Sequence, residues 1–159
     1  MEMLKSAVFS DCKQYCYSIT RTWDETKPYV VFIGLNPSYA DADAEKDDRT
    51  MGRCISFAKS WGWGGVRIVN LFAYVHTNRF EMMRMANPVG SDNDRYIVET
   101  VANAGLVVAA WGDDGRHLNR SDTVRALLPS DTKCFKINVT GEPKHPLLVN
   151  RNAVLIPFT

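Results

Sequence analysis

The chain reads as an α/β domain: a three-layer α/β/α sandwich around a central, mainly parallel sheet of four strands, preceded by an antiparallel hairpin. Three observations carry that expectation. Residues 29–35, 66–72, 106–110 and 133–137 are short, near-continuous apolar runs, as parallel strands buried on both faces require. Helical segments separate them in the order strand–helix–strand–helix–strand–helix–strand. The first and third runs end abruptly in Gly34-Leu35-Asn36-Pro37-Ser38 and in Trp111-Gly112, not in tight hairpin turns.

The elements follow in order. Residues 7–20 read as two short strands around Ser10-Asp11, with Tyr15, Tyr17 and Ile19 alternating with polar neighbours as an edge hairpin would. Thr26-Lys27-Pro28 breaks the chain before the first buried strand. Residues 48–61 are predicted helical, because Met51, Cys54, Ile55 and Ala58 recur at three- and four-residue spacing, with Asp48 or Thr50 as cap. Gly62, Gly64 and Gly65 stop this helix, and Trp61 and Trp63 pack at its end. A helical turn is expected over residues 79–84, and a helix over 93–103 capped by Asp92 or Ser91. A last helix covers residues 120–128, and the segment after residue 146 adds a short edge strand or small helix.

A length of 159 residues fits one domain with a full core, and a composition 45% hydrophobic and 23% charged is that of a soluble protein. The net charge of +1 gives no global field toward nucleic acid or membrane. No apolar run approaches the roughly 20 residues of a membrane span. The N-terminus lacks the apolar core of a signal peptide, so a cytoplasmic location is expected, without membrane association. The four cysteines, Cys12, Cys16, Cys54 and Cys134, are irregularly spaced and read as reduced thiols, not a zinc site.

Right-handed crossovers place the ends of all four parallel strands on one edge of the sheet, where open α/β sheets bind ligands. Four segments converge there: Gly34-Leu35-Asn36-Pro37-Ser38, Asn70-Leu71-Phe72, Trp111-Gly112-Asp113, and residues 141–145 with His145. Asn36 offers an amide to orient water or a ligand, although a turn residue before Pro37 has the same look. A neutral His145 can donate to a base carbonyl or a developing oxyanion, and the alternative is a loop histidine bonded to backbone. Trp111 can stack a flat ring or fill the core.

The acidic stretch Asp41, Asp43, Glu45, Asp47 and Asp48 can hold magnesium, supply a general base at Asp41, or simply be a solvated loop with a helix-capping carboxylate. Arg49 and Arg53, one helical turn apart, can clamp a phosphate or pair with those acids. Lys144 joins the substrate-facing set, whereas Arg116, Arg120 and Arg125 read as a solvated helix face and His76 and His117 as surface residues. There is no P-loop, no nucleophile elbow at Ser38, and no dinucleotide fingerprint, because Gly62-Trp63-Gly64-Gly65 precedes its strand; no cofactor is expected.

Together, Tyr17-Ser18-Ile19-Thr20-Arg21-Thr22-Trp23, Leu35-Asn36-Pro37-Ser38 with Ala40-Asp41, Asp47-Asp48-Arg49-Thr50, Asn70-Leu71-Phe72-Ala73-Tyr74, Trp111-Gly112 and Gly141-Glu142-Pro143-Lys144-His145-Pro146-Leu147 closely resemble the family catalogued as domain of unknown function 1643. That resemblance runs over nearly the whole length and implies no established activity. More distantly, the order of segments resembles the uracil-DNA glycosylase superfamily. There a Gly-x-Asp/Asn-Pro motif ends the first strand, an Asn that reads the base ends the second, and a His-Pro-Ser loop follows the last. Gly34-Leu35-Asn36-Pro37, Asn70 and His145-Pro146 stand at those places. Leu147 stands where that pattern has Ser, Asn36 lacks the carboxylate of the Asp form, and the acidic stretch neighbours the site.

This second resemblance implies a glycosylase-like sandwich and a nucleobase or nucleotide, free or extruded from nucleic acid, as ligand. The catalytic set would be Asn36, His145 and Asp41. The binding set would be Gly34, Leu35, Pro37, Ser38, Asp48, Arg49, Arg53, Asn70, Trp111, Gly112 and Lys144. Hydrolysis of an N-glycosidic bond, a non-catalytic nucleotide or single-stranded nucleic-acid module, and a metal-dependent hydrolase using Asp41, Asp47 and Asp48 stay open. The oligomeric state is not legible.

Overall fold

A computed structural model describes residues 2–39 and 47–158. Its seven strands form one sheet: β1 (Leu4–Phe9), β2 (Cys16–Thr22), β3 (Tyr29–Gly34), β4 (Gly65–Asn70), β5 (Leu106–Ala109), β6 (Lys133–Cys134) and β7 (Ile156–Pro157), in the order β1-β2-β4-β3-β5-β6-β7. β4, β3, β5 and β6 are mutually parallel, while β1–β2, β2–β4 and β6–β7 pair antiparallel. The helices among the described residues are α1 (Arg49–Ser60), α2 (Arg79–Met83), α3 (Asn93–Ala102) and α4 (Arg120–Arg125).

The expected mixed α/β class holds, and the four expected strands sit at the centre. Three details differ. The N-terminal hairpin is not a separate appendage: β2 pairs with β4 and makes the sheet one piece. β2 is therefore interior, and of the hairpin only β1 is an edge. Both faces of β2 are covered where alternation suggested an exposed face: Tyr17 stacks on Tyr96 of α3, and Cys16 and Ile19 join the core on the α1 side. β6 shrinks to two residues because the chain leaves the ladder at Phe135, whose ring turns into a cluster with Phe32, Phe57 and Trp61.

Both faces of the sheet are covered. α1 buries Met51, Cys54, Ile55, Phe57 and Ala58 against Val30, Phe32, Val66, Ile68 and Val108. Ile97 and Val101 of α3 and Val124 of α4 pack on the other face with Val31, Ile33, Val69, Val107 and Trp111. Each large side chain removed from water contributes on the order of 1.5–3 kcal/mol. Asp48 starts α1 by accepting from the Met51 amide at 2.8 Å. Asp92, by contrast, makes no side-chain cap on α3. Its neighbour Asn93 instead ties the helix to β4: Nδ2 donates to the carbonyls of Asn70 (2.9 Å) and Leu71 (3.1 Å).

The strand order turns back at β3, whose neighbours β4 and β5 follow it in sequence on opposite sides. Such a switch point opens a crevice at the carboxyl ends of the strands.

A buried acid closes that end. Glu142, 5% exposed, accepts from Trp111 Nε1 at 2.6 Å and from Ser121 Oγ at 2.9 Å, with Arg125 Nη2 at 3.6 Å. Arg125 also donates to the Gly141 carbonyl, and the Gly112 amide donates to that of Pro143. Arg120 is 5% exposed, donating to the Leu71 carbonyl and to Asp94. Arg120 is thus an interior strut and Arg125 a half-buried one, and the two do not form a solvated face. Replacing Glu142 by Ala strands the Trp111 N–H and should cost about 3 kcal/mol in urea unfolding, as a buried hydrogen-bonded charge does. A loss below about 1 kcal/mol would mean that the carboxylate is not the anchor of this loop.

Candidate functional site

A cavity of about 480 Å³ lies at the carboxyl ends of β3, β4 and β5, on the α1 face of the sheet. Asn36, Asn70 and His145 all line it, as do Gly34 and Gly112. Phe32, Ile68 and Ala110 contribute the floor, Thr50 and Cys54 of α1 one wall, and Pro146 and Leu147 another. Thr77, Arg79, Asp113 and Asp114 complete the rim.

The hollow exists because small residues end the strands on this face. Gly34 pairs in register with Asn70, and a Cβ on Gly34 would stand 2.6 Å from Asn70 Oδ1. The Asn70 carboxamide occupies that place. Asn70 is 4% exposed, and its carboxamide opens on the cavity without a side-chain hydrogen bond to the described residues. The amide therefore keeps a donor and an acceptor to offer to water or to a ligand. Its main chain is held firmly by the Asn93 clamp and, one residue on, by Arg120.

Asn36 is fixed by its nitrogen: Nδ2 donates to the His76 carbonyl at 2.8 Å and reaches the Pro37 carbonyl at 3.3 Å. Its Oδ1 stays available. His145 begins a 3₁₀ turn, Pro146–Leu148, where Nδ1 accepts from the Leu147 amide at 3.2 Å. The neutral ring therefore carries its proton on Nε2. Burial pushes the His145 pKa below the ordinary imidazole value; the Asp48 carboxylate opposes this and the Arg79 charge adds to it. Asp113 lies at the rim with its pKa held low, because Thr140 Oγ1 and Asn138 Nδ2 both donate to its Oδ1. Asp114 pairs with Arg79 at 2.6 Å. Gly112 needs its lack of a side chain: with φ 78° and ψ −176° it adopts a backbone essentially closed to other residues.

Other expected residues stand elsewhere. Leu35 and Trp111 send their side chains to the opposite face, so they border the cavity through backbone. Trp111 is 1% exposed, pinned by Glu142 and packed edge-on to Phe158, so it offers no stacking face to a ligand. Pro37 and Ser38 do not line the cavity: Pro37 is buried and accepts from the His76 amide, and Ser38 Oγ donates to Asp48. Asp48 uses its carboxylate as the α1 cap. Asp47 pairs with Arg21 and Lys5. Asp41, Asp43 and Glu45 lie outside the described residues. Among the described residues no three His, Cys, Asp or Glu side chains gather as a metal site. Lys144 pairs its backbone with Lys136 and does not reach the cavity. Arg49 and Arg53 line a separate groove.

Asp113 lies where the converging segment Trp111-Gly112-Asp113 was expected. As site residues, the sequence did not single out Thr50, Thr77, Arg79 and Asp114 at the wall, or Asn93 and Arg120 beneath it. Asp114 directly follows that segment, and the adjacency was the available signal. His76 sits beside Asn36, not on a remote surface.

His145 supplies a pH test. Its native pKa is lowered, so the unfolded chain binds more protons below about pH 6.5. Its share of stability is complete above that value and is lost as pH falls from there through the native pKa. The imidazole should titrate by NMR below about 6.5, and His145→Asn should flatten the acid side of the stability curve. An ordinary midpoint would place the ring in solvent.

No helix among the described residues is long and apolar enough to cross a membrane. No curated protein and no solved structure matches the chain. One family model does, over residues 16–147, which span β2 through the His145 loop and contain all of the cavity lining but Leu148. On that match the chain belongs to the family described as "Protein of unknown function (DUF1643)".

Proposed function

We propose that the cavity recognises a nucleobase or nucleotide and that the protein hydrolyses an N-glycosidic bond. The observation that carries this reading is the Asn70 carboxamide: it lines the cavity beside the small residues Gly34 and Ala110, with no side-chain hydrogen bond to the described residues. A carboxamide presents one donor and one acceptor side by side, which complements the edge of a base. Phe32 and Ile68 give the apolar floor that a flat ring needs.

In this reading each residue has one task. Asn70 reads the base edge. Asn36 Oδ1 accepts from a water and aims it at the sugar carbon, which is positioning and not deprotonation. His145 Nε2–H donates to the carbonyl of the departing base, where negative charge develops. Asp113, kept ionised by its two donors, adds a fixed negative charge near a sugar that becomes electron-poor as the bond stretches. The distant likeness of segment order to the uracil-DNA glycosylase superfamily supports the same assignment. Leu147 in place of Ser removes any serine contribution from the final loop.

A second reading, a non-catalytic module for nucleotide or single-stranded nucleic acid, rests on a different observation. Beside the cavity runs a ladder of rings: Tyr39 and His76 at 5.3 Å, His76 and Tyr74 at 6.5 Å, Tyr74 and Tyr15 at 5.9 Å between centroids. Tyr39 is 59% exposed. Tyr15, Tyr74 and His76 are half-buried, so Tyr39 is the ring that offers a stacking face to an unpaired base. Asn36 also lacks the carboxylate that would make a water strongly nucleophilic.

Calorimetry against a panel of nucleosides and nucleotides, followed by product analysis, separates the readings. Asn70→Ala should weaken nucleoside binding on the order of tenfold or more, since the amide forms two bonds. Gly34→Ala should do the same by displacing the amide. Asn36→Ala and His145→Ala should lower turnover by about 10²-fold with folding stability little changed. Binding without any product supports the module, and unchanged binding in Asn70→Ala defeats both.

A further inference from the structure

A second cleft, of about 580 Å³, runs between the outer side of α1 and the segment around residues 147–152. Arg49, Arg53 and Arg151 line it, with Ser56, Ser60 and Asn152. Arg49 and Arg53 come from successive turns of α1, and Arg151 comes from the opposing wall. None of the three is paired with a carboxylate of the described residues. Arg53 lies over the Phe57 ring at 5.9 Å, which leaves its guanidinium edge free to donate. Three arginines lining one cleft make it a place of positive charge that favours an anion. Planar, forked donors match the oxygens of phosphate, as they do those of a carboxylate, two at a time.

Leu147 lines both this cleft and the cavity that holds Asn70, so the two adjoin at that residue, with α1 presenting Thr50 and Cys54 to one and Arg49 and Arg53 to the other. We propose that the arginine cleft is the phosphate subsite of the nucleobase cavity, taking the phosphate of the same nucleotide whose base lies against Asn70. The inference rests on the base-binding reading and extends it: the ligand is a nucleotide, not a free base or nucleoside. The phosphate belongs either to a mononucleotide or to a diester in a single strand, and both offer the same oxygens. Opposite the acids at the cavity rim, Asp113 and Asp114, the cleft also gives the ligand a direction, base inward and phosphate toward α1.

The test is calorimetry on the full chain with three probes carrying each base: the nucleoside, its 5′-monophosphate, and a six-residue single-stranded oligodeoxynucleotide. The monophosphate, the oligonucleotide or both should bind on the order of tenfold tighter than the nucleoside, and added salt should erode that advantage. Within Arg53→Gln and within Arg151→Gln, the ratio of phosphorylated to unphosphorylated affinity should fall toward one. A gain confined to the oligonucleotide assigns the phosphate to a strand, and a gain already present in the monophosphate assigns it to a free nucleotide. Equal affinity for all three probes overturns the phosphate subsite and leaves the base cavity standing. A preserved ratio in both arginine variants overturns it as well. Binding of inorganic pyrophosphate with no binding of any nucleoside or nucleotide overturns the base cavity, and with it the link between the two clefts.

Discussion

The geometry of the candidate site depends on one buried carboxylate. Glu142 sits in the loop that carries His145, yet its partners come from other elements: the indole N–H beyond β5, a serine hydroxyl at the start of α4, and Arg125 at its end. A charge buried this deeply is tolerated only when its oxygens are occupied. The loop must therefore approach the sheet at one height and in one direction. That approach sets the Pro143 carbonyl against the Gly112 amide and puts His145 over the carboxyl end of β5.

A second clamp acts on β4. Asn93 donates to the carbonyls of Asn70 and Leu71, and Arg120, from a different helix, donates to that of Leu71. Those carbonyls lie just where the ladder stops and main-chain partners run out. Side-chain donors replace the missing strand, so the last residue of β4 stays extended with its carboxamide aimed over Gly34. Asn93 Oδ1 is left buried and unpaired for this purpose, a local cost accepted by a residue whose amide nitrogen serves two carbonyls. The site is thus rigid from below, and its polar groups are presented to the cavity without being absorbed by the protein around it.

Much of this was legible in the sequence. Parallel strands buried on both faces are apolar without interruption, so β3, β4 and β5 announced themselves, and the residues that end them were found at one edge. What escaped was nonlocal. Arg120 and Arg125 look like an exposed helix face because charge is read locally, and the carbonyls and carboxylate that justify their burial lie from 16 to 49 residues away. β2 looked like an edge because its alternation was real, while the partner that buries its far side, β4, is contributed much later in the chain. Trp111 was assigned toward the ligand although strand alternation already argued otherwise. Counting by twos from Val107 and Ala109 puts Trp111 on the face of Ile33, whereas Asn70 follows Ile68 and Gly34 follows Phe32 on the other.

That same alternation explains why one face is open and the other is full. At the level where the strands end, the α3 and α4 face carries Leu35, Leu71 and Trp111, and Phe158 closes over them. The α1 face carries Gly34, Asn70 and Ala110 at the same level. The first set fills its space with hydrocarbon and indole. The second leaves about 480 Å³ with a carboxamide at the bottom. A cavity lined by Leu and Phe alone would stay dry and apolar. One that presents a carboxamide without a protein partner holds water, or a ligand that offers an acceptor and a donor in its place.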